Sequence, residues 1–203
     1  LLKISVPSFD TTLFLSKSDF KVPIVQKSSN NQNAPWVQTI EDDTDEFVKP
    51  SSFVFSPDGS ILLFSTSKEK IWRRSFYATY FFMDIKSKKI TKLSKNNSRL
   101  RNVKFSPDSK KIAYIREDNN IYAFDLLKSK ERQLTRDGSE SILNGHLGWV
   151  YEEEFSIVRL FQWNSDGSKL AFLRFDEADV PEFSMDIYGN GLYPSQQEFK
   201  YPK

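Results

Sequence analysis

The 203-residue sequence contains no cysteine, a single histidine and only seven glycines. Without cysteine the chain can form neither a disulfide framework nor a thiolate metal site, although this leaves both reducing and oxidising compartments open. No two of the glycines, at 59, 138, 145, 148, 167, 189 and 191, are four residues apart. The sequence therefore lacks the Gly-x-Ser-x-Gly elbow that carries the nucleophile of α/β-hydrolases.

Long apolar runs and an excess of one charge are also missing. The 29 Lys and Arg residues are interspersed with 27 Asp and Glu residues, for a net charge of +2, so nothing in the charge indicates a nucleic-acid partner. The opening LLKISVPSFD is neither a signal peptide nor a membrane span, and we expect any targeting segment to lie outside this sequence. A hydrophobic content of 38% is enough for a sizeable core.

An internal repeat is the clearest structural signal. FVFSPDGSILLFST (53–66), VKFSPDSKKIAYIRED (103–118) and FQWNSDGSKLAFLRFDE (161–177) share an aromatic residue, Ser or Asn, Pro or Ser, Asp, and Gly or Ser before an alternating apolar run. This pattern predicts strand, tight turn, strand. Two more strand candidates follow each of the first two copies, and Phe55 and Phe105 are 50 residues apart. We predict an all-β fold, a partial β-propeller of four-stranded antiparallel blades.

The second repeat unit carries an insertion. Phe105 and Trp163 are 58 residues apart, and the excess falls in the stretch that contains ILNGHLGWVYEEEF. Insertions in a repeat array map to one face, which is commonly the binding face. We therefore predict a short helical insertion that carries Glu152, Glu153 and Glu154 at a functional position.

Two interpretations of the three glutamates remain open from the residues alone. One is a solvated helical turn, and the other is an acidic pocket for a cation. Neighbouring helical residues point about 100° apart, so at most two carboxylates can converge on one ligand. Two carboxylates could hold an ammonium through charge-assisted hydrogen bonds. A hard metal ion is a further alternative, but the only other ligand type nearby is His146, which we interpret as a loop residue.

Four segments carry a resemblance to a known family. NGHLGWVYEEEF, LAFLRFDEADVPEF and FKYPK resemble the N-terminal β-propeller region of the dipeptidyl peptidase IV family, among the prolyl oligopeptidase-type serine peptidases, and of its bacterial relatives. IWRRSFYATY (71–80) is similar to the family's Trp-Arg-x-Ser-Tyr/Phe segment. The resemblance covers residues 51–203, and residues 1–50 are interpreted as an irregular or partial blade. Gly148 departs from the Asp that often precedes the motif's Trp.

The resemblance implies roles for particular residues. In that family the propeller caps an α/β-hydrolase domain, and the enzyme removes dipeptides from peptide N-termini, usually after Pro or Ala. By resemblance, Glu153 and Glu154 bind the α-ammonium of the substrate, and Arg73 donates to a substrate backbone carbonyl. Without the resemblance, Arg73 would be interpreted as a surface arginine, as Arg74 is. Structural support of the site falls to Glu152, Trp149 and Tyr151.

The same resemblance implies that this chain is a fragment of a serine dipeptidyl peptidase, a hydrolase whose Ser-Asp-His triad and α/β-hydrolase domain lie elsewhere. No cofactor or metal is expected, and the location would be periplasmic, secreted or at the cell surface. The tail is either an irregular loop or an arm, starting near Asp186 and reaching Lys203, that forms a homodimer contact together with the missing hydrolase domain. Tyr188, Leu192 and Tyr193 would suit such an interface.

Two other functions remain as alternatives. The first is a catalytically inactive propeller relative that acts as a peptide-binding or protein-interaction scaffold. The second is an unrelated propeller module in which the three glutamates are solvated surface.

Overall fold

The computed structural model describes residues 2–4, 11–13, 15–22, 46–94 and 98–201. Most of the predicted partial blade in residues 1–50 therefore lies outside the described residues. Within that segment, the elements are β1 (Leu2–Ile4) paired with β2 (Thr11–Leu13), a 3-10 helix (Lys17–Phe20), and β3 (Lys21–Val22) paired with β4 (Glu46–Phe47). In the described ranges no helix is both long and apolar enough to cross a membrane.

Two four-stranded antiparallel blades form the centre of the chain. Blade I contains β5 (Ser52–Phe55), β6 (Ile61–Lys70), β7 (Phe76–Asp84) and β8 (Ile90–Lys92). Blade II contains β9 (Leu100–Phe105), β10 (Lys111–Arg116), β11 (Ile121–Asp125) and β12 (Lys130–Gln133). The blades meet at one paired position, Ala78 opposite Leu100. The predicted all-β fold of four-stranded antiparallel blades is confirmed.

The third repeat copy contributes one hairpin, and the chain then leaves the repeat. The elements are β13 (Ile142–Asn144), α1 (Trp149–Phe155), β14 (Phe161–Trp163), β15 (Leu170–Phe172), β16 (Arg174–Asp176), β17 (Glu182–Ile187) and β18 (Ser195–Lys200). β14 pairs with β15, and β13 with β16. The predicted helical insertion is confirmed as α1. β17 and β18 pair at six positions, so the irregular-loop interpretation of the tail is wrong; we call this hairpin the arm.

The core lies on both faces of the central strands, because side chains alternate along each strand. In β6, Leu63 points toward blade II, whereas Leu62 and Phe64 pack against Leu15 and Phe20 of the N-terminal segment. In β10, Ile112 and Tyr114 face blade I, whereas Ala113 and Ile115 face Phe161 and Trp163 of the third copy. The alternating repeats thus bury their apolar residues between neighbouring units.

Because the strands alternate in direction, their connections lie at two opposite ends of the blades. We call these two ends the turn edge and the site edge. The turn edge carries the Ser/Asn-x-Asp turns 56–60, 106–110 and 164–169. The site edge carries the β6–β7 connection 71–75, the β10–β11 turn 117–120 and the crossover 134–160 from β12 to β14. Residues near 73 and near 153 therefore lie on the same edge, although strands β7 to β13 separate them in the sequence.

Candidate functional site

Helix α1 is short and is defined at both ends. Gly148 is the N-cap, and Ser156 adopts a left-handed conformation (φ 58°) at the C-cap, where its N–H donates to the Glu152 carbonyl. Two aromatic contacts fix its first turn. The Trp149 ring lies 5.3 Å from Phe199 of the arm, and the Tyr151 ring lies 5.7 Å from Phe175. The helix is therefore anchored by residues that precede all three glutamates.

Glu152 connects the helix to the β6–β7 connection. Its side chain is 1% exposed, and Oε1 accepts hydrogen bonds from the backbone N–H groups of Arg74 (2.6 Å) and Ser75 (2.9 Å). The Arg74 guanidinium in turn donates a hydrogen bond from Nη1 to the Glu152 carbonyl oxygen at 3.2 Å. Bonds to a carboxylate are stronger than neutral ones. We call these three bonds the Glu152 clamp, and they hold two elements of the site edge together.

The clamp places Arg73 beside Glu153. Arg73 Nε lies 3.3 Å from Glu153 Oε2, and the two side chains are 70% and 19% exposed. Glu154, next along the helix, is exposed and has no hydrogen-bond or ion-pair partner within the described ranges. The structure therefore brings Arg73 and Glu153 into contact and leaves the Glu154 carboxylate open to solvent on the same edge.

His146 is a buried loop residue. It is 2% exposed, and its Nε2 lies 2.9 Å from Asn119 Oδ1 in the β10–β11 turn. Burial, aided by the charge of Arg101, lowers the pKa of His146 to about 3, so the imidazole is neutral at neutral pH. Nδ1 lies 3.4 Å from the Leu147 carbonyl, so the shorter contact assigns the proton of the neutral ring to Nε2, which donates to the Asn119 oxygen. No cluster of three or more possible metal ligands occurs in the described part of the chain.

Sequence reasoning missed three contributors to this site: Arg74, Ser75 and Arg101. Arg74 is exposed, as interpreted, but its backbone N–H and its guanidinium both bind Glu152. Arg101 is buried and borders a cavity of about 350 Å³ behind α1. No local signal marks these residues, because their partners lie far away in the sequence.

Gly148, which stands where the family often has Asp, lies against the side chain of Glu177. A Cβ on Gly148 would lie 2.6 Å from Oε1 of Glu177. Any side chain at this position would therefore displace Glu177, and an Asp would also place a second carboxylate against it.

The chain matches known proteins over most of its described length. Residues 56–203 match the family model described as the dipeptidyl peptidase IV N-terminal region. The chain is 38% identical over 170 residues to a probable dipeptidyl-aminopeptidase B of Emericella nidulans, covering 77% of this chain and 19% of that protein. It is 34% identical over 198 residues to dipeptidyl peptidase 4 of Trichophyton rubrum, covering 94% and 24%.

A solved structure agrees with this match. The crystal structure of Porphyromonas gingivalis dipeptidyl peptidase 4 superposes with a TM-score of 0.70 at 37% identity, over 76% of this chain and 22% of that one. This chain thus spans about a fifth to a quarter of the length of these relatives. The chain belongs to the dipeptidyl peptidase IV family and corresponds to part of that family's N-terminal region.

Proposed function

We propose that this chain is the substrate-recognition propeller part of a serine dipeptidyl peptidase that releases X-Pro or X-Ala dipeptides from peptide N-termini. Glu153 and Glu154 bind the free α-ammonium of the substrate. The observation that carries the proposal is the pair formed by Arg73 and Glu153, 3.3 Å apart, on the edge where Glu154 is exposed. The names of the relatives, dipeptidyl peptidase and dipeptidyl-aminopeptidase, support the substrate class.

The charges suit an ammonium ligand. Each carboxylate can accept a charge-assisted hydrogen bond from the –NH₃⁺ group. The positive charge of Arg73 offsets the repulsion between two adjacent acids, and its 70% exposed side chain leaves donors for a substrate carbonyl. An ammonium held at a fixed point lets a peptide reach a nucleophile only at a set distance. Release of dipeptides, rather than longer products, follows from that distance.

The chemistry itself belongs to the rest of the parent protein in this proposal. A Ser-Asp-His triad in an α/β-hydrolase domain would cleave the bond without a cofactor. Residues 1–50 would be an irregular or partial blade ahead of the blades in 51–203. The parent would act in the periplasm, outside the cell or at its surface, where peptides with free N-termini are its substrates.

The test uses the full-length protein with Glu153→Gln and Glu154→Gln, which remove one charge each at constant shape. We expect each change to lower kcat/KM on an X-Pro chromogenic substrate by about 30-fold or more, because a charged hydrogen bond contributes about 2 kcal/mol or more. Glu140→Gln, an exposed glutamate of the same crossover, is the control and should leave kcat/KM unchanged. Full activity in the Glu153→Gln, Glu154→Gln double variant would contradict the proposal.

An N-acetylated substrate separates the alternatives. The proposed enzyme should neither bind nor cleave it, because acetylation removes the ammonium charge. Equal affinity for the free and the acetylated peptide would instead indicate an unrelated interaction module. Glu153-dependent binding of the free peptide without turnover would indicate the catalytically inactive scaffold.

We further propose that the arm contributes to a homodimer. Tyr188, Leu192 and Tyr193 at its turn are 80%, 93% and 83% exposed, an apolar cluster typical of an interface. Changing all three to Ser should convert a dimeric full-length protein to monomers in sedimentation equilibrium. Leu127→Ser, which alters a leucine that is 78% exposed in the β11–β12 turn, is the matched control. A dimer that survives the triple change would contradict the role of the arm.

A further inference from the structure

Arg101 in β9 is a buried cation with an incomplete set of partners. It is 3% exposed, and its Nε is buried without a hydrogen-bond acceptor among the residues that the structure describes. Its guanidinium lies 5.8 Å from the centre of the Tyr77 ring in β7, next to the position where Ala78 pairs with Leu100. In the described ranges it forms no direct ion pair. A guanidinium keeps its charge inside a protein, so its burial calls for a nearby negative charge.

Glu152 is a buried anion, and one of its two carboxylate oxygens lacks a hydrogen-bond donor in the described part of the chain. Oε1 accepts from the Arg74 and Ser75 N–H groups, whereas Oε2 is the buried oxygen without a partner among the described residues. Glu152 is bound to Ser75, and Tyr77, two residues further along, lies beneath Arg101. The orphaned nitrogen and the orphaned oxygen therefore belong to charges that both lie near the start of β7.

Two ionisable groups close to Arg101, Tyr77 and His146, are neutral. The cavity that Arg101 borders is also lined by carboxylates, among them Glu177 and Glu198. Burial lowers the pKa of Arg101, and the nearby Tyr77 and Glu152 raise it. Burial also raises the pKa of Tyr77, which keeps the phenol protonated. His146 of the crossover is neutral, because burial and the charge of Arg101 hold its pKa at about 3. Glu152 of α1 is the buried carboxylate that acts on Arg101, and attraction in a buried site persists beyond direct contact.

We propose that Arg101 is a positioning residue of the ammonium site, which compensates the buried charge of Glu152 and so keeps the Glu152 clamp closed. This inference rests on the proposed function of Glu153 and Glu154. The clamp joins the neighbours of the two site residues: Arg74 follows Arg73, and Glu152 precedes Glu153. A shift of Glu152 relative to residues 74 and 75 therefore changes the spacing between Arg73 and Glu153. Arg101 acts on that spacing without touching the substrate.

A double-mutant cycle tests the proposal in the full-length protein. Arg101→Met leaves Glu152 as an unpaired buried anion, and Glu152→Gln leaves Arg101 as an unpaired buried cation while keeping one oxygen for the clamp. We expect each change to weaken binding of the dipeptide Ala-Pro, measured by calorimetry, by about tenfold. The double variant contains neither buried charge, so its affinity should return to within about threefold of the wild type. Losses that multiply in the double variant would overturn the proposal.

A second arginine–glutamate pair, in blade II, serves as the control for the general effect of losing a buried arginine. Arg116, 9% exposed, pairs with Glu131 at 2.5 Å in blade II. Arg116→Met and Glu131→Gln should leave Ala-Pro affinity unchanged. Hydrogen exchange supplies a second measurement: the amides of residues 74 and 75 should exchange faster in Arg101→Met and at the wild-type rate in Arg116→Met. Unchanged exchange in Arg101→Met would overturn the proposal.

Two further variants keep the outcome decisive. If Arg101→Met fails to fold, Arg101→Lys retains the charge and should keep Ala-Pro affinity within about threefold; a tenfold loss would overturn the proposal. Glu153→Gln separates this inference from the function on which it rests. If Glu153→Gln abolishes Ala-Pro binding while the Arg101 cycle is additive, the inference alone fails. If Glu153→Gln has no effect, the proposed function fails and the inference fails with it.

Discussion

The two edges of the blades are stabilised in different ways. On the turn edge each turn is held by its own side chains. Ser56 Oγ donates to Asp58 Oδ1 at 2.6 Å, and Ser106 Oγ donates to Asp108 Oδ1 at the same distance. The bond from Ser56, followed by those from the Ser60 N–H and hydroxyl, lowers the pKa of Asp58 to about 2. The turns are thus stabilised mainly by contacts a few residues apart.

The site edge depends on contacts between distant segments. Glu152 binds the backbone of residues 74 and 75, and His146 contacts Asn119. At the base of the arm, Lys200 Nζ donates to Ser141 Oγ and to the Glu177 carbonyl, both at 2.7 Å. Because these contacts bridge loops that are not repeated, this edge can acquire a binding site without disturbing the blades. We therefore expect substitutions on the site edge to change stability and binding together, and those on the turn edge to change stability alone.

Removal of the Glu152 clamp should have the largest effect. Glu152→Ala leaves two backbone N–H groups and the buried Arg101 without their anion, so we expect a loss of about 3 kcal/mol in local stability. Hydrogen exchange of segments 71–80 and 142–160 in the full-length protein measures it, and Ala-Pro affinity should fall in parallel. Glu154→Ala, on the exposed side of the same helix, should leave the exchange of both segments unchanged. A stability loss without a loss of affinity would break the comparison between the edges.

The second-largest effect is a loss of stability of the crossover at low pH, which we attribute to His146. Its pKa is about 3 in the folded protein and about 6.5 when unfolded, so between these values only the unfolded state binds the proton. The stability of the crossover should therefore be full above pH 6.5 and decline as the pH falls toward 3. At pH 5 the loss should be about 2 kcal/mol. Exchange in segment 142–160 at pH 7 and pH 5, corrected for intrinsic rates, measures the change.

His146→Gln is the matched control for this pH dependence. Its amide can still donate to Asn119 but does not titrate, so the pH dependence between 5 and 7 should largely disappear. An unaltered pH dependence in this variant would assign the effect to another group.

The same contrast explains what the sequence could and could not predict. The turn edge was predictable, because the Ser-Pro-Asp pattern is itself the set of residues that forms the turn. The placement of α1 followed from the longer spacing between Phe105 and Trp163. The partners of Glu152 were not predictable, because backbone amides 77 and 78 residues away have no signature of their own. The mostly polar strand β18, SQQEFK, likewise gave too weak an apolar alternation to indicate the arm's regular hairpin.

A smaller effect is expected on the turn edge. Asp108 accepts from the Ser106 hydroxyl and from the Lys110 N–H at 3.2 Å. Asp108→Ala should cost about 1 kcal/mol in the stability of blade II, since two partly exposed hydrogen bonds are lost. Thermal unfolding and exchange of segment 103–116 measure this loss. Ala-Pro affinity should stay at the wild-type value, and a tenfold weaker affinity would show that the two edges are coupled.

The smallest effect on binding is expected from a substitution at Gly148. It tests how closely Glu177 packs against the start of α1. Gly148 has φ −72°, so an alanine is not strained in its backbone, but its Cβ would lie 2.6 Å from Glu177 Oε1. Glu177 must then rotate away, and we expect Gly148→Ala to weaken Ala-Pro binding by about threefold or less. In a Glu177→Ala background the same change should have no effect, because the atom it displaces is gone. An equal loss in both backgrounds would mean that the glycine matters for the start of the helix itself rather than for its contact with Glu177.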